Sequence, residues 1–153
     1  KLADKESRNG SKYILKCLSA HNPVDLVVLI LGTTELKEEF DNSLEKVGKL
    51  LEDYYAKVIP KTKSKIDGSC PKLIIVAPPI VDEPHAHRLY RGAGEKSKQL
   101  GRIYLEIAEK NKCYFIDASR LKVGSDGVHM IKESHLELAK MIADKVKNII
   151  KKK

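Results

Sequence analysis

The sequence predicts a single α/β domain over residues 1–153, built as a parallel sheet with helices on both faces. Three observations lead there. Short, nearly continuous apolar runs rich in β-branched residues stand at 26–31 (LVVLIL), 73–77 (LIIVA) and 114–116 (YFI), as expected of strands covered on both sides. Segments of helical spacing alternate with them, the order that builds βαβ crossovers. The length, 153 residues with 42% hydrophobic and 33% charged, fills one core but not two.

Taken in order, the first helix is expected at 13–20, where Tyr13, Ile14, Cys17 and Leu18 carry the apolar positions. After the first strand, 43–59 repeats Leu44, Val47, Leu51, Tyr54 and Val58 every three or four residues. Asn42 with Glu45 offers a capping start, and Pro60 ends the segment. The stretch 61–70 is lysine-rich, contains Gly68 and reads as a surface excursion before the second strand. A helix at 95–110 aligns Leu100, Ile103, Tyr104 and Ile107; another at 134–150 aligns Leu136, Ala139, Ile142, Val146 and Ile149. Three strands make a small sheet, and nothing before Leu26 reads as a fourth. One edge is therefore expected to be open, or completed by a segment outside this chain.

Composition narrows the function classes. The longest apolar run, six residues at 26–31, is far short of the roughly 20 that a membrane-spanning helix needs. Compact Leu, Ile and Val runs argue against disorder. Cys17, Cys70 and Cys113 are odd in number and widely spaced, which suggests neither a disulfide framework nor a zinc site and predicts reduced thiols in a cytoplasmic setting. The chain opens at Lys1 without Met, so no leader can be read from it. The net charge of +8 is spread along the chain, Trp is absent and aromatics are only 5%, so a nucleic-acid partner is not expected. Residues 151–153 read as a solvated lysine tail.

Ligands of open α/β sheets bind outside the carboxyl ends of the strands, so the loops there are where chemistry is expected. They are Gly32 to Leu36 after the first strand, Pro78 to Ile80 after the second, and Ser125 to His129 beyond the third. Asp126 and His129 are three apart, and across a short turn a carboxylate can hold one imidazole nitrogen while the other faces outward as a general base. That is two thirds of a hydrolytic triad. On spacing alone a local turn-stabilising bond is the commoner reading.

Several blocks taken together carry a resemblance: NPVDLVVLILGTTELKEEF at 22–40, KLIIVAPPIV at 72–81, EKSKQLGRIYLEIAEKNKCYFIDAS at 95–119 and SDGVHM at 125–130. In content and order they resemble the later blocks of the SGNH hydrolases, the GDSL esterase family, and most of all its arylesterase and acyltransferase branch. The resemblance implies a three-layer, flavodoxin-like fold of five parallel strands, of which the N-terminal ones, including the strand bearing the nucleophilic serine, precede Lys1. It implies an ester hydrolase working through an acyl-serine intermediate on esters, thioesters or acetylated sugars, with no metal or organic cofactor. Carried across by position, Asp126 orients His129, the base. Gly32, Thr34 and Glu35 fall in the family's Gly-x-Asn-Asp block, Thr34 replacing the oxyanion asparagine and Glu35 the aspartate.

On this reading the chain holds no nucleophile and is inactive alone, and a companion peptide, a second subunit or a homo-oligomer covers the open sheet edge. The alternative is a non-catalytic binding or scaffold protein of the same fold. Ser69 follows a charged segment rather than a strand, and Ser125 adjoins Asp126 without facing His129, so neither substitutes for the missing serine. Gly92, Ala93 and Gly94 lack the strand context of a dinucleotide loop. His85 and His87, with Asp82 and Glu83, read as exposed lid residues rather than metal ligands.

Overall fold

The structure is a computed structural model and describes residues 10–151, so positions 152 and 153 of the expected tail lie outside it. The elements run α1 (Gly10–Ala20), β1 (Leu26–Ile30), α2 (Leu44–Leu51), β2 (Lys72–Ala77), α3 (Ala93–Lys110), β3 (Tyr114–Asp117) and α4 (Lys132–Ile150). The strands form one parallel sheet in the order β1-β2-β3. Ile75 of the central strand stands between Leu29 and Phe115, and Ile74 between Val28 and Tyr114.

Because side chains alternate along a strand, each strand serves both layers. Leu29, Leu73, Ile75 and Ala77 bury against α1, α2 and α3 with Leu18, Val47, Leu51, Leu100, Tyr104 and Ile107. Ile74, Val76 and Ile116 bury on the opposite face against α4 through Leu138 and Ile149. From Leu73 to Ala77 every residue of β2 is buried, which explains the unbroken apolar run. Each such Leu, Ile or Val side chain contributes about 1.5–3 kcal/mol to folding. At the edge, β1 is only half covered, and Ile30 is 40% exposed.

Two expected helices differ from the reading of their sequence. The 43–59 segment is α-helical only to Leu51, then widens into a π-turn at Glu52–Ala56, closed by Lys57 N–H donating to the Glu52 carbonyl at 3.0 Å. The anchor is Glu52, whose carboxylate accepts from Lys110 at 2.9 Å and Asn111 at 3.2 Å, tying this helix end to the end of α3. Its cap is Ser43, which accepts from Lys46 N–H at 3.2 Å, while Asn42 is buried and donates to the Glu35 carbonyl at 3.0 Å. In α4 the buried face runs through Ser134, Leu138 and Ile149, with Met141, Ile142 and Val146 beside them, whereas Leu136 is 57% exposed and Ala139 is exposed as well. The expected and observed stripes share Ile142, Val146 and Ile149; only the first turns differ, where the period of 3.6 fits both sets.

Candidate functional site

All three strands end on one rim, and the loops that leave it carry the sequence-predicted residues. Beyond β3, Val123 pairs antiparallel with Met130, while Gly124 N–H donates to the His129 carbonyl at 2.8 Å. Asp126 to Val128 thus form the tip of a small hairpin, with His129 at its base. Asp126 organises that tip. One carboxylate oxygen accepts from the backbone N–H groups of Val128 at 3.0 Å and His129 at 2.9 Å, and the other faces His129 Nδ1 at 2.5 Å. The His129 ring beside the carboxylate, followed by the N–H groups of Val128 and His129, holds Asp126 down at about 2.

In the neutral ring, with Nδ1 donating to the carboxylate, the other nitrogen, Nε2, keeps its lone pair, the tautomer a general base requires. The His129 side chain is 84% exposed, and among the described residues no serine hydroxyl hydrogen-bonds to it. Ser69 donates to Asp67 at 2.7 Å and lines a small cavity with Leu18 and Pro71, elements of the opposite end of the sheet. Ser97 is buried and bonded to Gly94 and Val81.

Gly32, which follows β1, has φ +128°, and a Cβ there would stand 2.1 Å from the Tyr104 hydroxyl. That hydroxyl donates to the Leu31 carbonyl at 3.0 Å, so glycine is required where the phenol of α3 presses on the end of β1. Burial, followed by the nearby charge of Glu35, pushes the Tyr104 phenol well above its ordinary range. The chain then enters a 3-10 turn at Thr34–Leu36, pinned by the buried Leu36, which leaves Thr34 exposed on the rim and Glu35 half-buried. Asn42 clamps the turn from behind through the Glu35 carbonyl, and Lys96 Nζ donates to the Asn42 carbonyl at 3.1 Å.

Tyr90 links the two loops. Burial, then the charges of Asp126 and of Glu35, raise its phenol, so this ring lies within electrostatic reach of both. Lys37 Nζ sits over the same ring, 5.6 Å from its centre. The topology therefore puts Gly32, Thr34 and Glu35 on one loop of the rim and Asp126 and His129 on another, with the Tyr90 phenol raised by burial and then by charges from both. Neither Tyr90 nor Tyr104 was legible as a site residue: Tyr104 reads as one more member of a helical stripe, and Tyr90 sits in a loop without pattern.

The segment expected to be an exposed lid is only partly one. Asp82 engages His85 Nδ1 at 2.9 Å in a second turn of the same spacing, with both side chains open to solvent. Glu83 turns inward and accepts from Gly92 N–H at 2.7 Å and Gly94 N–H at 2.9 Å, capping α3, and these bonds lower its carboxyl. Among the described residues no three His, Cys, Asp or Glu side chains are grouped to hold a metal ion, and no helix is long and apolar enough to cross a membrane.

No protein-family model matches the chain, and no curated protein matches it in sequence. Solved structures do. The chain superposes on a carbohydrate acetylesterase from Sinorhizobium meliloti with a TM-score of 0.83 and 31% identity, covering 92% of this chain and 68% of that one. It superposes equally on the aryl esterase of M. smegmatis, TM-score 0.83 at 27% identity, again with 92% and 68% covered. A lipase/acylhydrolase from Enterococcus faecalis, at 16% identity and TM-score 0.59 with 90% and 70% covered, shares the fold.

Proposed function

The chain belongs to the SGNH hydrolase family, and from that premise we propose that it carries the base, its orienting carboxylate and part of the oxyanion site of a serine ester hydrolase. The observation that supports this most is the Asp126–His129 pair, standing on the carboxyl rim with Nδ1 engaged and the ring open to solvent. The nucleophile is a serine outside residues 1–153. Its Oγ bonds to the ester carbonyl carbon as its proton passes to His129 Nε2. The oxyanion collapses, the bond to the alcohol oxygen breaks, and the alcohol leaves with that proton. Water, deprotonated by the same nitrogen, then releases the acid and restores the serine. Asp126 fixes the imidazole and stabilises its cation, and the loop of Gly32, Thr34 and Glu35 faces the oxyanion, Thr34 through its hydroxyl.

Small esters are the substrate class, with acetylated sugars favoured by the similarity to a carbohydrate acetylesterase. The strand carrying the serine pairs with the outer edge of β1, which among the described residues bonds only to β2 and leaves Ile30 and Leu31 exposed. A non-catalytic scaffold is the second reading, favoured by Thr34 standing where the family has asparagine.

Two measurements test the proposal. A fluorophosphonate probe should label no serine in the 1–153 polypeptide; a stoichiometric adduct there refutes it. In a polypeptide that also contains an upstream serine block, hydrolysis of an activated acetyl ester should vanish in His129→Ala and rise in Thr34→Asn, with kcat changing more than KM. One oxyanion donor is worth about 10² to 10³ in kcat. Activity indifferent to His129→Ala sinks the hydrolase reading, and no activity in any form favours the scaffold.

A further inference from the structure

Between the two rim loops runs the segment 82–92, and its backbone is fastened at both ends. Val81 N–H donates to the buried Ser97 hydroxyl at 3.0 Å, and Ser97 donates onward to the Gly94 carbonyl at 2.8 Å. Nine and eleven residues ahead of Glu83, the N–H groups of Gly92 and Gly94 converge on its two carboxylate oxygens at 2.7 and 2.9 Å. The segment is thereby closed into a loop by two side chains, Ser97 behind Val81 and Glu83 across its ends.

The start of this loop is the wall on which the Asp126–His129 turn rests. Asp82 N–H donates to the Gly127 carbonyl at 2.9 Å. The Asp82 carbonyl accepts from the N–H groups of His85 and Ala86, both at 3.0 Å, so the wall is itself a hydrogen-bonded turn. Its approach to Gly127 is backbone on backbone. With φ +68° at Gly127, a Cβ would lie 2.3 Å from the Asp82 carbonyl oxygen and 2.7 Å from Ala86 N. Asp82 spends its own carboxylate on His85, so it does not compete for His129.

We propose that Glu83 is a positioning residue for the Asp126–His129 pair: by clasping segment 82–92 to the start of α3, its carboxylate holds the Asp82–Ala86 backbone against Gly127 and so fixes the turn from which His129 projects. This rests on the reading of Asp126 and His129 as orienter and base. Glutamine would set an NH₂ donor against one of the two N–H donors, each of which now has its own carboxylate oxygen, and aspartate is a methylene shorter.

The test reads the geometry of the pair and needs no turnover, so it fails or succeeds separately from the hydrolase proposal. In ¹⁵N-labelled 1–153 protein, amide exchange at Val128 and His129 and the His129 imidazole nitrogen shifts are compared in wild type, Glu83→Gln and Glu95→Gln. Glu95 lies in the first turn of α3, is exposed and, among the described residues, pairs with Lys98, so it controls for lost charge at the helix start. Glu83→Gln should speed exchange at Val128 and His129 on the order of ten-fold and move the imidazole signals toward a mixture of tautomers, while Glu95→Gln leaves both unchanged. If Glu83→Gln lowers the melting temperature but leaves exchange and imidazole signals as in wild type, Glu83 is a helix cap and nothing more. Should that variant fail to fold, Gly127→Ala presses on the same contact with the clasp intact: perturbed His129 signals support the wall, and unperturbed ones overturn it.

Discussion

Gly32→Ala is the sharpest single test of how the rim is built. The methyl would enter the space of the Tyr104 hydroxyl, 2.1 Å away, at a backbone angle of +128° that side-chain-bearing residues rarely adopt. Backbone strain of this kind costs about 1–3 kcal/mol. Overpacking that displaces a buried ring costs another 1–3 kcal/mol or so. A loss of about 3–5 kcal/mol follows, lowering the melting temperature of a domain this size on the order of 10 °C. The two contributions separate in a cycle with Tyr104→Phe. Removing the hydroxyl alone deprives the Leu31 carbonyl of its 3.0 Å bond, at about 1 kcal/mol, yet it also removes the atom that the new methyl meets first. Urea unfolding of wild type, both single variants and the double variant should therefore show the double variant more stable than the sum of the singles predicts, by about 1–2 kcal/mol. Additivity within about 0.5 kcal/mol refutes the reasoning, because it leaves Gly32 constrained by its backbone angle alone.

Other outcomes follow from the same contacts. Asp126 should titrate near its depressed value of about 2; since its folded-state value lies below the ordinary carboxylate range, the stability it supplies is complete above that range and lost as pH falls toward 2. A carbon-detected carboxyl titration with an ordinary midpoint would contradict the hairpin geometry. Leu138→Ala should destabilise by about 2–5 kcal/mol and the exposed Leu136→Ala by less than about 0.5 kcal/mol, a contrast that chemical denaturation resolves and that equal losses would reverse. Ser97→Ala strands the buried Val81 N–H and should cost about 1–3 kcal/mol; a neutral result means that this N–H finds another acceptor.

The central strand was legible because β2 is buried on both sides, so burial writes itself into the chain as a continuous apolar run. The observed ends move by one residue at Lys72, Ile30 and Asp117. Helix limits were harder. The break after Leu51 depends on Glu52 finding Lys110 and Asn111 from another helix, and no local pattern encodes partners more than fifty residues away. In α4 the period admitted two faces, and the choice between Leu136 and Leu138 was made by Ile74, Val76 and Ile116 across the interface.

The same division between local and distant causes runs through the site. Asp126 and His129 could be read because the spacing of a three-residue turn already suggests a carboxylate beside an imidazole, and the turn's N–H groups are the ones the carboxylate needs. Gly32 could be noticed but not explained, since its reason is a phenol seventy-two positions later on α3. Glu83 read as a solvated lid residue for the corresponding cause: its partners are amides, which carry no side-chain signature, and they become donors only where α3 begins. The residues proposed to do chemistry are marked by type and short spacing, whereas residues that hold a turn in place are marked by contacts that exist only after folding. A substitution survey of this rim should accordingly separate into two classes. In a polypeptide that also contains the serine block, changes at His129 should abolish ester hydrolysis with the fold intact, while changes at Glu83 and Gly127 should disturb the His129 environment and lower stability together; a Gly127 substitution that left both untouched would break the division.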